Sequence, residues 1–149
     1  MTPRTIRGSL AAMKHLVLAA LAAAVALPAA AQDHPLDGVW EGAYECPQGR
    51  TGLTLTLDAT PGGQVTGTFA FWPRPDNPDV ARGSFRVAGT VSLRGDLQLR
   101  GVNWIEQPAN YAMVNLGGAV YQGDSGAPDS MLGDVLGAPG CTRWAAKRR

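Results

Sequence analysis

Beyond position 31 the chain lacks most of what metalloenzymes and nucleic-acid binders need. It keeps one histidine, His34, and two cysteines, Cys46 and Cys141. Too few imidazoles and thiolates remain for a transition-metal site, and no metal or other cofactor is expected. Excess positive charge is also missing. After residue 31, ten Lys+Arg face twelve Asp+Glu, so the whole-chain charge of +1 falls to about −2. That excludes the basic surface by which nucleic acid is bound. No stretch of the later chain shows a convincing helical period.

A membrane span is lacking too. The one apolar run, Leu16 to Leu27, falls short of the ~20 residues that cross a bilayer. It follows Arg4, Arg7 and Lys14 and ends in Pro28-Ala29-Ala30-Ala31. A basic start, an apolar middle and small residues at the cut define a secretory signal peptide over residues 1–31. Met13-Lys14 would open a signal of more usual length. No cysteine follows the cut, which argues against a lipid anchor, and no stable membrane span remains after cleavage. The expected product is Gln32–Arg149, the 118 residues left when 31 are removed from 149. That is one domain, exported to the periplasm or beyond. Two cysteines in such a compartment read as a disulfide. Cys46 and Cys141 lie 95 positions apart, a loop whose closure stabilises by about 4–5 kcal/mol in the chain-entropy model.

What the chain does have is alternation. Trp40, Gly42, Tyr44 and Cys46 fall on one face of a strand over 38–46, with Val39, Glu41, Ala43 and Glu45 on the other. Leu53-Thr54-Leu55-Thr56-Leu57 repeats the pattern, one face buried and one wet. Further strands are expected at 65–72, 83–93, 97–104, 111–121, 131–136 and 141–146. On the fourth, Phe85, Val87, Gly89, Val91 and Leu93 are expected to point inward. Residues 32–37 read as a flexible lead-in, and Lys147-Arg148-Arg149 as a solvated tail. Mid-strand glycines at 67, 89 and 101 suit a sheet that bends. The fold expected is all-β: a small antiparallel up-and-down barrel of about eight strands, closed by the disulfide where first and last strands meet.

Candidate chemistry is sparse. Gly123-Asp124-Ser125-Gly126-Ala127-Pro128 resembles the segment around the nucleophile of chymotrypsin-like proteases. It lacks the base and orienting acid that a serine nucleophile needs, so it reads as a polar turn. Glu41 and Glu45 share a wet strand face and do not face each other across a cleft. Asp76-Asn77-Pro78-Asp79 offers oxygen ligands at a spacing that matches no standard calcium loop. The aromatic residues are a better lead. Trp40, Phe69 and Phe85 are expected to fill the barrel. Trp72 and Trp104 stand where strands run into loops 73–82 and 105–110. Both loops follow odd-numbered strands, so they share one rim, with 122–129 at the other. The expected ligand-binding set on that rim is Trp72, Arg74, Trp104, Glu106, Asn110 and Tyr111.

Gly38-Val39-Trp40 resembles the opening of lipocalins and, with Gly42, of avidin-like barrels. In lipocalins an arginine near the last strand packs on that tryptophan; Arg143 is the candidate here, although pairing Cys46 with Cys141 sets it opposite Tyr44. A closer likeness is to a small, largely uncharacterised secreted bacterial module. Its form is G-x-W-x-G-x-Y-x-C-x-Q-G followed by T-G-L-T-L, read here from Gly38 to Leu55. It continues through Asn77-Pro78, Gly83-Ser84-Phe85, Trp104-Ile105, Gln107-Pro108, Tyr111 and Cys141. That resemblance implies the barrel and brings no activity with it. The Tyr44-x-Cys46 pair is also similar to one near the start of periplasmic barrel inhibitors of lysozyme. The expected function is non-catalytic binding at the loop rim, of a glycan or cell-wall fragment or of a small apolar ligand. The alternatives are a protein-protein module, such as an inhibitor of a wall-degrading enzyme, and an enzyme of unrecognised type.

Overall fold

The computed structural model describes residues 33–149; the expected signal peptide lies outside them. Eight strands follow one another: β1 Gly38–Cys46, β2 Gly49–Ala59, β3 Gln64–Trp72, β4 Gly83–Val91, β5 Asp96–Glu106, β6 Asn115–Gln122, β7 Pro128–Leu136 and β8 Arg143–Arg148. Each pairs antiparallel with the next, and β8 pairs with β1, so the sheet closes into a barrel. Cys46 and Cys141 are joined by a disulfide.

The alternation explains the wall. Leu53, Leu55 and Leu57 are buried while Thr54 and Thr56 reach the outside. Across the ladder, Trp40 faces Leu55 and Leu55 faces Phe69, so apolar side chains meet ring by ring inside. Trp40 and Phe69 are 0% exposed and Phe85 1%; these three fill the interior, as their positions on the strands suggest. Each is worth roughly 1.5–3 kcal/mol of transfer free energy when fully buried.

Several boundaries differ from the sequence reading. β2 begins at Gly49, so only Pro47-Gln48 turns; Gly49 takes a positive φ of 96°. β5 continues through Trp104 to Glu106, and β6 starts at Asn115, not Tyr111. β7 starts at Pro128, and β8 runs to Arg148. The basic C-terminal residues are therefore mostly strand, held by pairing with β1, and not a tail. Strand β4 stops at Val91. Leu93, expected inward, stands fully exposed (107%) at the tip of the β4–β5 turn. Its turn is set by the Ser92 hydroxyl, which receives the Arg94 and Asp96 amides.

The closing seam is offset by one residue from the expected pairing. Tyr44 opposes Trp144, not Arg143, and Trp40 opposes Arg148. Cys141 lies just outside the ladder, which frees the register from the disulfide. A shift of one residue exchanges inner and outer faces. It sends Trp144 inside, 2% exposed, and Arg143 outside, where it pairs with Glu45 at 3.2 Å.

The lead-in is also fastened. Leu36 is 2% exposed and belongs to the core. Its carbonyl accepts the Trp40 indole N–H at 3.0 Å. Asp37 accepts the Ala59 amide at 2.7 Å. The Arg148 guanidinium lies 4.2 Å from the Trp40 ring centroid and donates to the carbonyls of Asp37, Pro35 and Pro128. Apolar contact and charge-assisted hydrogen bonds thus close this end.

Candidate functional site

The barrel has two unlike ends. The turns and loops at 47–48, 73–82, 107–114 and 137–142 gather at the disulfide end. The lead-in, the short turns at 60–63 and 92–95 and the segment 123–127 gather at the other. This follows from the up-and-down order of the strands, and it sets both expected rims where the sequence put them.

At the disulfide end a line of rings runs from the core to the surface. Tyr44 meets Phe69 edge-on at 5.3 Å, and Phe69 stacks on Phe85 at 4.6 Å. Phe85 meets Trp104 at 5.3 Å, Trp104 meets Phe71 at 6.3 Å, and Phe71 stacks on Tyr111 at 5.2 Å. Such offset and edge contacts add about 0.5–1.5 kcal/mol each beyond area burial. Trp104 and Tyr111 are only partly buried and form the outer members of the line. The Tyr111 hydroxyl accepts the Ala81 amide at 3.3 Å, tying its loop to the one after β3. Burial pushes the Tyr44 phenol well above its usual range, and the neighbouring Tyr111 adds to the shift. Gln48 donates to that hydroxyl and to Thr51, which is itself fully buried.

The six expected rim residues separate into three groups. Trp104 and Tyr111 come together through Phe71. Trp72 faces the other way: it opposes Gly52 on the outer wall and donates its indole N–H to Thr54 at 3.1 Å. A Cβ at Gly52 would run into that indole. The polar three lie in or beside the loops. Arg74 pairs with Asp76 at 3.1 Å, while Glu106 and Asn110 are exposed. Asn110 takes a positive φ of 64°, which asparagine tolerates in a tight turn.

Two residues beside Trp104, Val102 and Ile105, were not among the six expected to bind. Phe85 opposes Trp104, Arg86 opposes Asn103 and Val87 opposes Gly101, while Ser84 opposes Glu106. The register skips Val102 and Ile105, two bulges that flank Trp104. Bulges re-aim side chains near sheet rims, and these leave Val102 50% and Ile105 54% exposed. On its other side β5 pairs with β6 only from Asp96 to Leu99. Above that, the Gly101 amide donates to the Asn115 side chain. Gly101 marks a bend beside the first bulge, but nothing local in Trp104-Ile105-Glu106 marks the second.

The other candidates resolve simply. Glu41 and Glu45 lie on the outer wall, each ion-paired to an arginine. Asn77 spends its amide on the Gln48 and Arg50 carbonyls. Among the described residues no three His, Cys, Asp or Glu side chains gather where they could hold a metal. His34 accepts the Leu36 amide on Nδ1.

The class defined by this geometry is a closed, eight-stranded antiparallel barrel with one disulfide across its seam. Comparison with models of known families, with curated proteins and with solved structures finds no match. The arginine that packs on Trp40 is Arg148, and not Arg143 as the sequence suggested.

Proposed function

We propose that the chain is an exported, non-catalytic binding module whose loop rim at the disulfide end takes a glycan, such as a cell-wall fragment. The observation that carries this is the pair Trp104 and Tyr111, partly open and braced from behind by Phe71. Rigid ring faces suit the apolar faces of sugars, because little side-chain freedom remains to be lost on binding. Glu106 and Asn110, close to those rings in the chain, and Arg74 on the loop after β3 would supply hydrogen-bonding groups. The rings behind the rim occupy the lumen, so contact is made on the rim surface. Trp72 would extend that surface down the flank. The disulfide agrees with an oxidising, exported setting.

The test is calorimetric titration with soluble peptidoglycan fragments. Binding that falls about tenfold or more in both Trp104→Ala and Tyr111→Ala supports the reading. Binding unchanged in both, or absent in the parent protein, ends it. Trp72→Ala reports whether the site reaches the flank. A protein partner is the second reading, favoured by the exposed Val102 and Ile105 beside Trp104. Inhibition of a wall-degrading enzyme, relieved by Ile105→Glu, would select it.

A further inference from the structure

The end opposite the disulfide carries a concavity that the sequence did not suggest. It measures about 840 Å³, within the ~300–1,000 Å³ range of small-molecule sites. Leu36 is its floor, and Val91, Leu93 and Val120 give it apolar walls. The β4–β5 turn supplies the lip, with Leu93 and Arg94 side by side.

Two properties set this bowl apart from an ordinary turn surface. Its rim is preformed. The Val91 amide donates to the Gly63 carbonyl and the Val120 amide to the Gly95 carbonyl, both at 2.8 Å. These bonds tie the turn after β2 to β4 and the turn after β4 to β6, so a ligand would not have to order the rim. Gly63 and Gly95 both take positive φ, and a Cβ at either would press on the backbone of the strand it is tied to.

The second property is the lip itself. A leucine wholly in water gains nothing from folding, and nothing in the turn's hydrogen bonds calls for it. Leu93 would gain from folding over an apolar body seated on Leu36. Beside it, Arg94 forms no ion pair among the described residues. An apolar wall ending in an unpaired guanidinium complements one chemistry: an apolar body with an anionic end.

We infer that this bowl binds a small amphipathic carboxylate, its apolar part over Leu36, Val91 and Val120 and its anionic end at Arg94. The inference goes beyond the rim reading and is independent of it, since the two surfaces share no residue.

The test is titration of the full chain with 1-anilinonaphthalene-8-sulfonate, an apolar body with one anionic group, followed by displacement with decanoate. A single saturable site, emptied by decanoate, is expected. Leu93→Asp and Arg94→Glu should each weaken decanoate by about tenfold or more. Decanol, the neutral analogue, should lose affinity in Leu93→Asp and be unchanged in Arg94→Glu. Both side chains are exposed, so neither variant puts folding at risk. Leu132→Asp, on the outer wall of β7, should leave binding as it was. The proposal is overturned by unsaturable dye binding, by failure of decanoate to displace, or by affinities that survive both lip variants. It is equally overturned if Leu132→Asp weakens binding as much as they do.

Discussion

The two ends of this barrel are closed by different physics. At the disulfide end closure is by bulk: six aromatic rings stand in line from Tyr44 to Tyr111, beneath a covalent bridge. At the opposite end it is by direction. One guanidinium lies on Trp40 and reaches three carbonyls, pulling the lead-in across the opening. Bulk leaves no room behind the rim, so recognition there is confined to the surface. Directional closure uses few atoms and leaves a hollow between the turns. The end richest in large side chains is therefore the solid one, and the end built from short turns is the concave one.

Removing the bridge should have the largest effect. Cys46→Ser with Cys141→Ser should lower stability by about 4–5 kcal/mol, read from urea midpoints. Phe69→Ala should cost about 3–5 kcal/mol, since it empties the middle of the ring line. Arg148→Ala should cost about 2 kcal/mol, from hydrogen bonds to a charged donor. A loss equal to that of Phe69→Ala would erase the contrast between bulk and direction. Arg143→Ala, one side of an exposed ion pair with Glu45, should change stability by under about 1 kcal/mol.

Alkali should weaken the fold through a group at the disulfide end. The Tyr44 phenol is raised when folded, chiefly by burial. An unfolded tyrosine ionises near pH ~10, whereas the folded one holds its proton. The unfolded state is thus favoured as pH climbs above that point, and the stability present below it declines. Urea midpoints compared at neutral pH and well above pH ~10 should show the decline in the parent and less of it in Tyr44→Phe. The smallest effect belongs to Leu93→Ser, within about 0.5 kcal/mol of the parent because the side chain packs on nothing. A larger loss would mean that Leu93 already has a partner in the bowl.

Much of the fold could be read from local pattern. Period-2 alternation in Leu53–Leu57 and from Trp40 to Cys46 names strands and their inner faces without reference to any other part of the chain. Pro73, Pro75 and Pro78 mark a break for equally local reasons. Of the candidate site, Trp104 and Tyr111 were legible as rings beside loops. Their union through Phe71 was not, nor was the turning of Trp72 onto Gly52. The bulges at Val102 and Ile105 were hidden because a bulge is a property of two strands, and only one was in view. Leu93 misled because it continues the alternation of β4 past the point where Ser92 bends the chain. Leu36 was missed because a single apolar residue in a polar lead-in has no period.

By itself the sequence determined the class of fold, the pairing of its two cysteines and the inward placing of Trp40, Phe69 and Phe85, since these follow from short-range pattern and from having only two thiols. The tertiary structure decided the register of the last strand against the first. That choice turns on one residue across about a hundred of separation, where local propensity is silent and only the packing of Trp144 inside can choose. The same register delivers Arg148, not Arg143, to Trp40, and with it the closed end and the hollow beside it.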